Sequence, residues 1–430
     1  MTYIKRIITA LTVISLLLTC GISALASDTE HRAVYEATRG YILSLGTPAV
    51  GSVGGEWMVI ALCRDGVACP EGYYENVVSY VNSKINEKGQ LHKSKSTDNS
   101  RVILGLTAAG YDVTDVGGHN LLCGLTDMTY LKKQGINGPI WALIAFDCLN
   151  YSIPDNPSAS EQVTREGIIA YILEKQLEDG GWAMSGKKAD PDMTGMAIQS
   201  LARYYDTNDE VKAAVDKALV TLSSIQQDDG GYGSVDGSCS ESCAQVIVAL
   251  TTLGINPHTD PRFVKNGKSV VDAMCTFAIE GGGFAHIPNA TLNGMATEQG
   301  QYALVAYFRF LEGKNPIYDM TAEKTVIPEE DTAEVTTAEK EDETESAGGT
   351  SKVTDKQTDN SKLTTGKSTE EKNTDSKTTS KTTTAKATNS SPSNGEAAQT
   401  ADGGIAVYIA IAVISAGAMI LTVYKRYRLN

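Results

Sequence analysis

The pattern Gln-x-x-Asp-Gly-Gly-aromatic occurs twice, as Gln176–Trp182 and Gln226–Tyr232, and once more in worn form as Gly281-Gly282-Gly283-Phe284. The copies lie about 50 residues apart, in the range where a fixed period marks a repeat architecture. Each copy follows an amphipathic segment and precedes an apolar one. The glycines stop the first helix because they accept backbone angles that other residues avoid. The aromatic residue is then placed to cover the seam between neighbouring units. One helix pair cannot bury its apolar face alone, so the units must stack.

Six apolar segments carry the inner helices of such a stack: Glu56–Cys63, Asn99–Ala109, Gly138–Leu149, Met193–Tyr205, Ser242–Leu253 and Thr297–Leu311. Gly138–Leu149 and Ser242–Leu253 are apolar on nearly every face, as helices buried all round must be. The segments that precede them carry a single stripe. In Val211–Ile225 the apolar residues fall at Val211, Val215, Ala218, Leu222 and Ile225, the spacing of one buried face and one wet face. Tyr74–Ile85 has the same form, and Ala33–Leu45, Leu121–Lys132, Gln162–Gln176 and Val264–Ala278 complete an outer set. Six outer and six inner helices in alternation predict an all-α fold, an α6/α6 toroid over residues 27–320. An open helical solenoid is the structural alternative.

The ends of the chain are of a different kind. Lys5 and Arg6 precede the apolar run Ile7–Leu18, and Ala24-Leu25-Ala26 offers small residues for cleavage, so residues 1–26 read as a secretory signal. From 321 to 404 the chain is rich in Thr, Ser, Lys and Glu and nearly lacks aliphatics; such a segment reads as a disordered stalk. Its first 80 or so residues would span about 50 Å as a flexible coil. Residues 405–424 are almost uncharged, and about 20 such residues make a helix long enough to cross a membrane. Lys425, Arg426 and Arg428 follow, which predicts a cytoplasmic tail at 425–430. The chain is therefore expected in the cell membrane as a single-pass protein, its toroid outside the cell. A net charge of −15 argues against a nucleic-acid partner. Seven cysteines remain after the signal, of which Cys63/Cys69 and Cys239/Cys243 are the local pairs close enough in sequence for disulfides. An odd number leaves at least one thiol unpaired within the chain.

The Gln-x-x-Asp-Gly-Gly-Trp/Tyr repeat resembles that of the prenyltransferase/squalene-cyclase superfamily, whose fold is the α6/α6 toroid. Gly54-Gly55-Glu56-Trp57, Thr97–Leu104, Gln134–Pro139 and Met295–Gln299 are similar to stretches of exported bacterial members. The resemblance covers Val34–Phe310. It implies the fold rather than one activity, because the superfamily includes cyclases, protein prenyltransferases, cobalamin carriers and thioester domains.

In a toroid the outer-to-inner turns gather at one end, where the inner helices present their N-termini. That mouth should collect Trp57, Arg101, Trp141, Glu241, His286, Glu298, Gln299 and Tyr302 as ligand-binding candidates, with Asp190 and Asp192 beside them. Asp190-Pro191-Asp192-Met193-Thr194 resembles the Asp-x-Asp-Asp-Thr signature of proton-initiated triterpene cyclases, in which Asp192 would be the proton donor. Met193 replaces the following Asp, and those cyclases use two helical barrels where this chain has one. A plain structural role is also open: Asp190 as a helix cap, Pro191 in the first helical position, and Asp192 an ordinary ionised carboxylate with its pKa lowered by the helix dipole.

Other chemistries lack parts. Diphosphate needs a cationic clamp, and Arg101 is the main cation at the mouth. Asp236, Cys239 and Cys243 lie close together, but four metal ligands cannot be named, so no metal or cofactor is expected. The Gly-Cys-Gly-Glu-Gln of thioester domains is missing around Thr297-Glu298-Gln299. The reading that follows is a membrane-tethered surface module that binds an extracellular ligand or protein without catalysis. The alternative is a terpenoid-cyclase-like isomerase using Asp192.

Overall fold

The computed structural model describes residues 29–234 and 237–322. Helix α1 spans 29–44. Eleven α-helices follow: α2 Glu56–Arg64, α3 Tyr73–Lys84, α4 Thr97–Ala109, α5 Met128–Leu131, α6 Asn137–Asp147, α7 Arg165–Glu174, α8 Pro191–Leu201, α9 Asp209–Ile225, α10 Ser240–Thr252, α11 Val270–Cys275 and α12 Gly294–Leu311. The even-numbered helices pack in sequence, α2 on α4, α4 on α6, α6 on α8, α8 on α10 and α10 on α12. Helix α12 returns to α2. The inner ring is closed, which excludes the open solenoid. The odd-numbered helices form the outer layer. On α9 Val211, Val215, Ala218 and Leu222 are buried as their spacing requires, whereas α10 is buried along most of its length.

The repeated turn has one hydrogen-bond scheme in both full copies. The Gln176 amide donates to the Gly180 and Ala214 carbonyls at 2.7 and 2.8 Å. Gln226 donates to the Gly230 and Phe263 carbonyls at the same two distances. Each Gln thus ties its own turn to the next outer element. Gly180 and Gly230 take the left-handed conformation, with φ of 99° and 85°. Their partners Gly181 and Gly231 do not; at these positions the constraint is space. A Cβ on Gly181 would lie 2.4 Å from Ala189 Cβ, and one on Gly231 2.5 Å from Ser238 Oγ. The aromatic residues Trp182, Tyr232 and Phe284 are all fully buried. Each donates its backbone N–H to a side chain one turn into the next inner helix: Thr194 Oγ1, Cys243 Sγ and Thr297 Oγ1. Leu91 does the same to Asn99 Oδ1 at 2.9 Å, which reveals an earlier copy that keeps its left-handed glycine, Gly89 (φ 75°), but has Gln90 and Leu91 for the second glycine and the aromatic.

Two expected outer helices are cut short. In place of a continuous helix over Leu121–Lys132 there is a 3-10 turn at Leu121–Leu125, and Asp127 then caps α5. Gly124 is pressed so close that a Cβ would lie 2.2 Å from the Gly89 carbonyl, and this contact fixes the irregular path. In Val264–Ala278 the first residues form a small antiparallel hairpin, β3 Val264–Lys265 with β4 Lys268–Ser269. A capping box between Ser269 and Asp272 starts α11 only there. A second hairpin pairs β1 Gly233–Ser234 with β2 Gly237–Ser238.

After α12 the chain crosses the far end of the ring. Arg64 donates to the carbonyls of Ile317 and Asp319 at 2.9 and 2.7 Å, and Arg309 donates to those of Asn315 and Arg64. Met320 N–H is bound by the Cys148 carbonyl at 2.8 Å. Ile317, Tyr318 and Met320 are buried beneath this strap. Among the described residues no helix is long and apolar enough to cross a membrane. The expected signal at 1–26, the stalk beyond 322, the span at 405–424 and the tail at 425–430 lie outside the described residues. All seven described cysteines are free thiols. Cys243 Sγ accepts the Tyr232 N–H instead of pairing with Cys239.

Candidate functional site at the mouth of the ring

The inner helices begin at one end of the ring, and their first two turns line a cavity of about 160 Å³. Trp57, Arg101 and Trp141 come from α2, α4 and α6, and Gln299 and Tyr302 from α12. Five of the expected mouth residues therefore meet here. Trp57 is the hub of an aromatic wall, 5.0 Å from Trp141 and 5.9 Å from Tyr302 between ring centroids. Behind this wall, Tyr318 on the strap meets Trp141 edge-on at 5.8 Å.

The cavity has further walls that the sequence reading missed: Ser52, Thr97, Asn137, Met196 and Gln245. Thr97 and Asn137 open their helices, and Met196, Gln245 and Gln299 each stand six residues into theirs. Counting in from the helix starts was the signal that could have found them. Gln245 is 2% exposed and donates to Gln299 Oε1 at 3.0 Å and to the Tyr302 hydroxyl. Gln199 donates back to Gln245. The centre of the ring is thus polar, crossed by an amide network that fixes side-chain orientations.

Beside the cavity lies a buried ionic cluster. Arg101 Nε donates to Glu56 at 2.7 Å and its Nη1 to Asp98 at 3.1 Å. Glu56 is fully buried, and burial pushes its pKa up against the attraction of Arg101. Glu298 points from α12 under the loop before α2 and accepts the Gly54 N–H. Its second oxygen is buried with no partner. Burial, opposed by the Gly54 bond and reinforced by nearby Glu56, raises Glu298 to about 7.

The other candidates sit on the rim. Asp190 caps α8, accepting the Met193 N–H at 2.9 Å, with Pro191 first in the helix. Asp192 does not keep the lowered pKa expected of a carboxylate at a helix start. Burial raises it to about 6, the Ser242 hydroxyl opposes the shift, and Asp190 and Glu241 add to it. Here loss of water outweighs the helix dipole. Glu241 Oε2 lies 2.7 Å from His286 Nδ1, and both line an open recess of about 510 Å³ with Val53, Asn293 and Met295. Cys239, Glu241 and His286 bring donor atoms within 4.8 Å of one another. His286 is half exposed, however, and Cys239 lies 3.1 Å from Ser242 Oγ, so these groups already have partners. A larger cavity of about 490 Å³ lies at the opposite end, between Asp147, Gln199, Arg203, Tyr318 and Asp319.

No curated protein sequence matches the chain. Among solved structures it is similar to ent-copalyl diphosphate synthase from Streptomyces platensis, with 18% identity, a TM-score of 0.37, and coverage of 60% of this chain and 50% of that one. The chain therefore spans half the length of that synthase. Residues 121–325 match the family model described as the prenyltransferase alpha-alpha toroid domain. That match agrees with the closed ring of paired helices and its repeated turns, and residues 121–325 are similar to the prenyltransferase alpha-alpha toroid domain.

Proposed function

We propose that this protein is a binding module without catalytic activity, its toroid carried outside the cell on the Thr/Ser-rich stalk and anchored by the span at 405–424. The observation that carries this reading is the size and lining of the central cavity. At about 160 Å³ it falls below the roughly 300 Å³ at which pockets for drug-sized ligands begin. An isoprenoid long enough to cyclise needs more room than that. Its walls suit a small ligand, or one side chain of a partner, with a flat apolar face for Trp57 and Trp141 and a polar edge for Gln245, Gln299 and Asn137. Arg101 stands at the cavity wall, and a fixed cation there would raise the energy of a carbocation. The same guanidinium is already engaged by Glu56 and Asp98, which leaves it poorly placed to clamp a diphosphate.

One observation favours the cyclase alternative. Asp192 near 6 and Glu298 near 7 are acids able to hold a proton close to neutral pH, as a proton donor must. Neither lines the central cavity. The test is to incubate the protein with squalene and with a prenyl diphosphate, and to screen small ligands by thermal shift. The binding reading expects no product, and a stabilising ligand whose effect Trp57→Ala removes. A cyclised product that Asp192→Asn abolishes would overturn it. Protease applied to intact cells should release a ring-sized fragment; full protection would refute the external topology.

A further inference from the structure

A second cluster, away from the mouth, joins the two ends of the folded chain. His31 lies on α1, His258 in the loop after α10, and Asp272 in the first turn of α11. His31 Nε2 is 2.9 Å from Asp272 Oδ1, across 241 residues of sequence. His258 Nδ1 is 3.7 Å from Asp272 Oδ2. The three donor atoms all fall within 4.8 Å of one another. The imidazoles stand at 88° with their centroids 4.9 Å apart, and the Tyr307 ring packs against both. Nothing in the mouth uses these groups.

We propose that His31, His258 and Asp272 form a binding site for a divalent transition-metal ion, zinc above all, which clamps α1 to α11 and so closes the outer layer of the ring. Two imidazoles and one carboxylate are the donor set of many zinc sites, with water completing the shell. Bonds of 2.0–2.1 Å in tetrahedral array place donors about 3.3 Å apart, and the observed 2.9 and 3.7 Å separations lie on either side of that value. His31 is 2% exposed, so its ring is held in place, while the Asp272 side chain at 27% leaves a side open for an entering ion and its water. Ser269 supplies the outer support that ligating groups require. Its backbone N–H and hydroxyl both bind Asp272 Oδ2 at 2.8 Å; its Oγ also lies 2.9 Å from His258 Nδ1, a contact that the entering ion replaces. The Cys239 cluster differs in exposure, since His286 is 54% exposed.

The full chain, stripped with chelator, should be titrated with zinc and with cobalt(II) alone while binding and thermal unfolding are followed. The expected result is one ion bound at the site with Kd of about 10 µM or tighter. Unfolding should move up by about 5 °C at a hundredfold excess over Kd. His31→Gln and His258→Gln should each abolish the shift, and His286→Gln should retain it. His258 is the more exposed of the two histidines, so its variant keeps the test decisive if His31→Gln fails to fold. Cobalt at this site should give weak d–d absorption without a thiolate charge-transfer band. Absence of binding, a thiolate band lost with Cys239→Ser, or a shift that survives His258→Gln would each overturn the proposal.

Discussion

The two ends of the ring hold opposite charges in opposite ways. At the mouth, where the inner helices begin, the fully buried ionisable groups are Glu56 and Glu298, with Arg101 paired to Glu56. At the far end, where those helices finish, they are Arg64 near the end of α2 and Arg309 near the end of α12. Both placements follow the helix dipole, which favours anions at N-termini and cations at C-termini. The satisfaction of the charges differs. The far-end arginines spend their N–H groups on the carbonyls of the strap and of Arg64. At the mouth, Glu56 and Glu298 each keep a buried oxygen with no hydrogen bond. The charged groups of one end are spent on closure; those of the other keep acceptor capacity that calls for an explanation.

The largest effect should come from breaking the mouth's ion pair. Arg101→Met leaves Glu56 buried and uncompensated, a loss of about 3–5 kcal/mol measurable by denaturant unfolding. Adding Glu56→Gln should restore most of it. If the single variant is as stable as the parent, the mouth is not the strained end. Next comes the far end, where the closure is packing as much as polarity. Tyr318→Ala should cost about 3 kcal/mol and enlarge the 490 Å³ space that Tyr318 lines. An unchanged melting temperature would mean that the strap does not seal the ring.

Gly231→Val comes third, at roughly 1–3 kcal/mol, because its Cβ would strike Ser238. This separates the scaffold of the mouth from its site: the variant should lower the melting temperature without changing the affinity of any ligand found. Last comes a pH effect. Glu298 is held near 7 in the folded chain against an ordinary 4.5, so the folded state binds more protons than the unfolded one between those values. Its contribution to stability is complete below about pH 4.5 and lost as pH rises through about 7. Glu298→Gln should flatten that decline in a series of melts, and an unaltered slope would show that Glu298 is not the group responsible.

The alternation of striped and all-apolar segments was legible because burial on one face or on every face leaves its period in the residues themselves. The Gly-Gly-aromatic repeat was legible for a related reason. A left-handed turn and a crowded second glycine admit few side chains, so the same chemistry had to be written each time the turn was built. The worn copy at Leu91 was not readable, since one leucine and one asparagine perform there what Trp182 and Thr194 perform later.

What the residues alone determined, then, was an all-α ring of six helix pairs, its turn positions, and part of the set of side chains that reach its mouth. Tertiary structure decided which of them share a cavity. Trp57, Arg101, Trp141, Gln299 and Tyr302 converge, while Asp190, Asp192, Glu241 and His286 stay on the rim. It also decided that the pKa of Asp192 is raised. Ring closure puts side chains from distant segments within a few ångströms and removes water from around them. Neither proximity nor desolvation has a period along the chain, and so neither could be read from it.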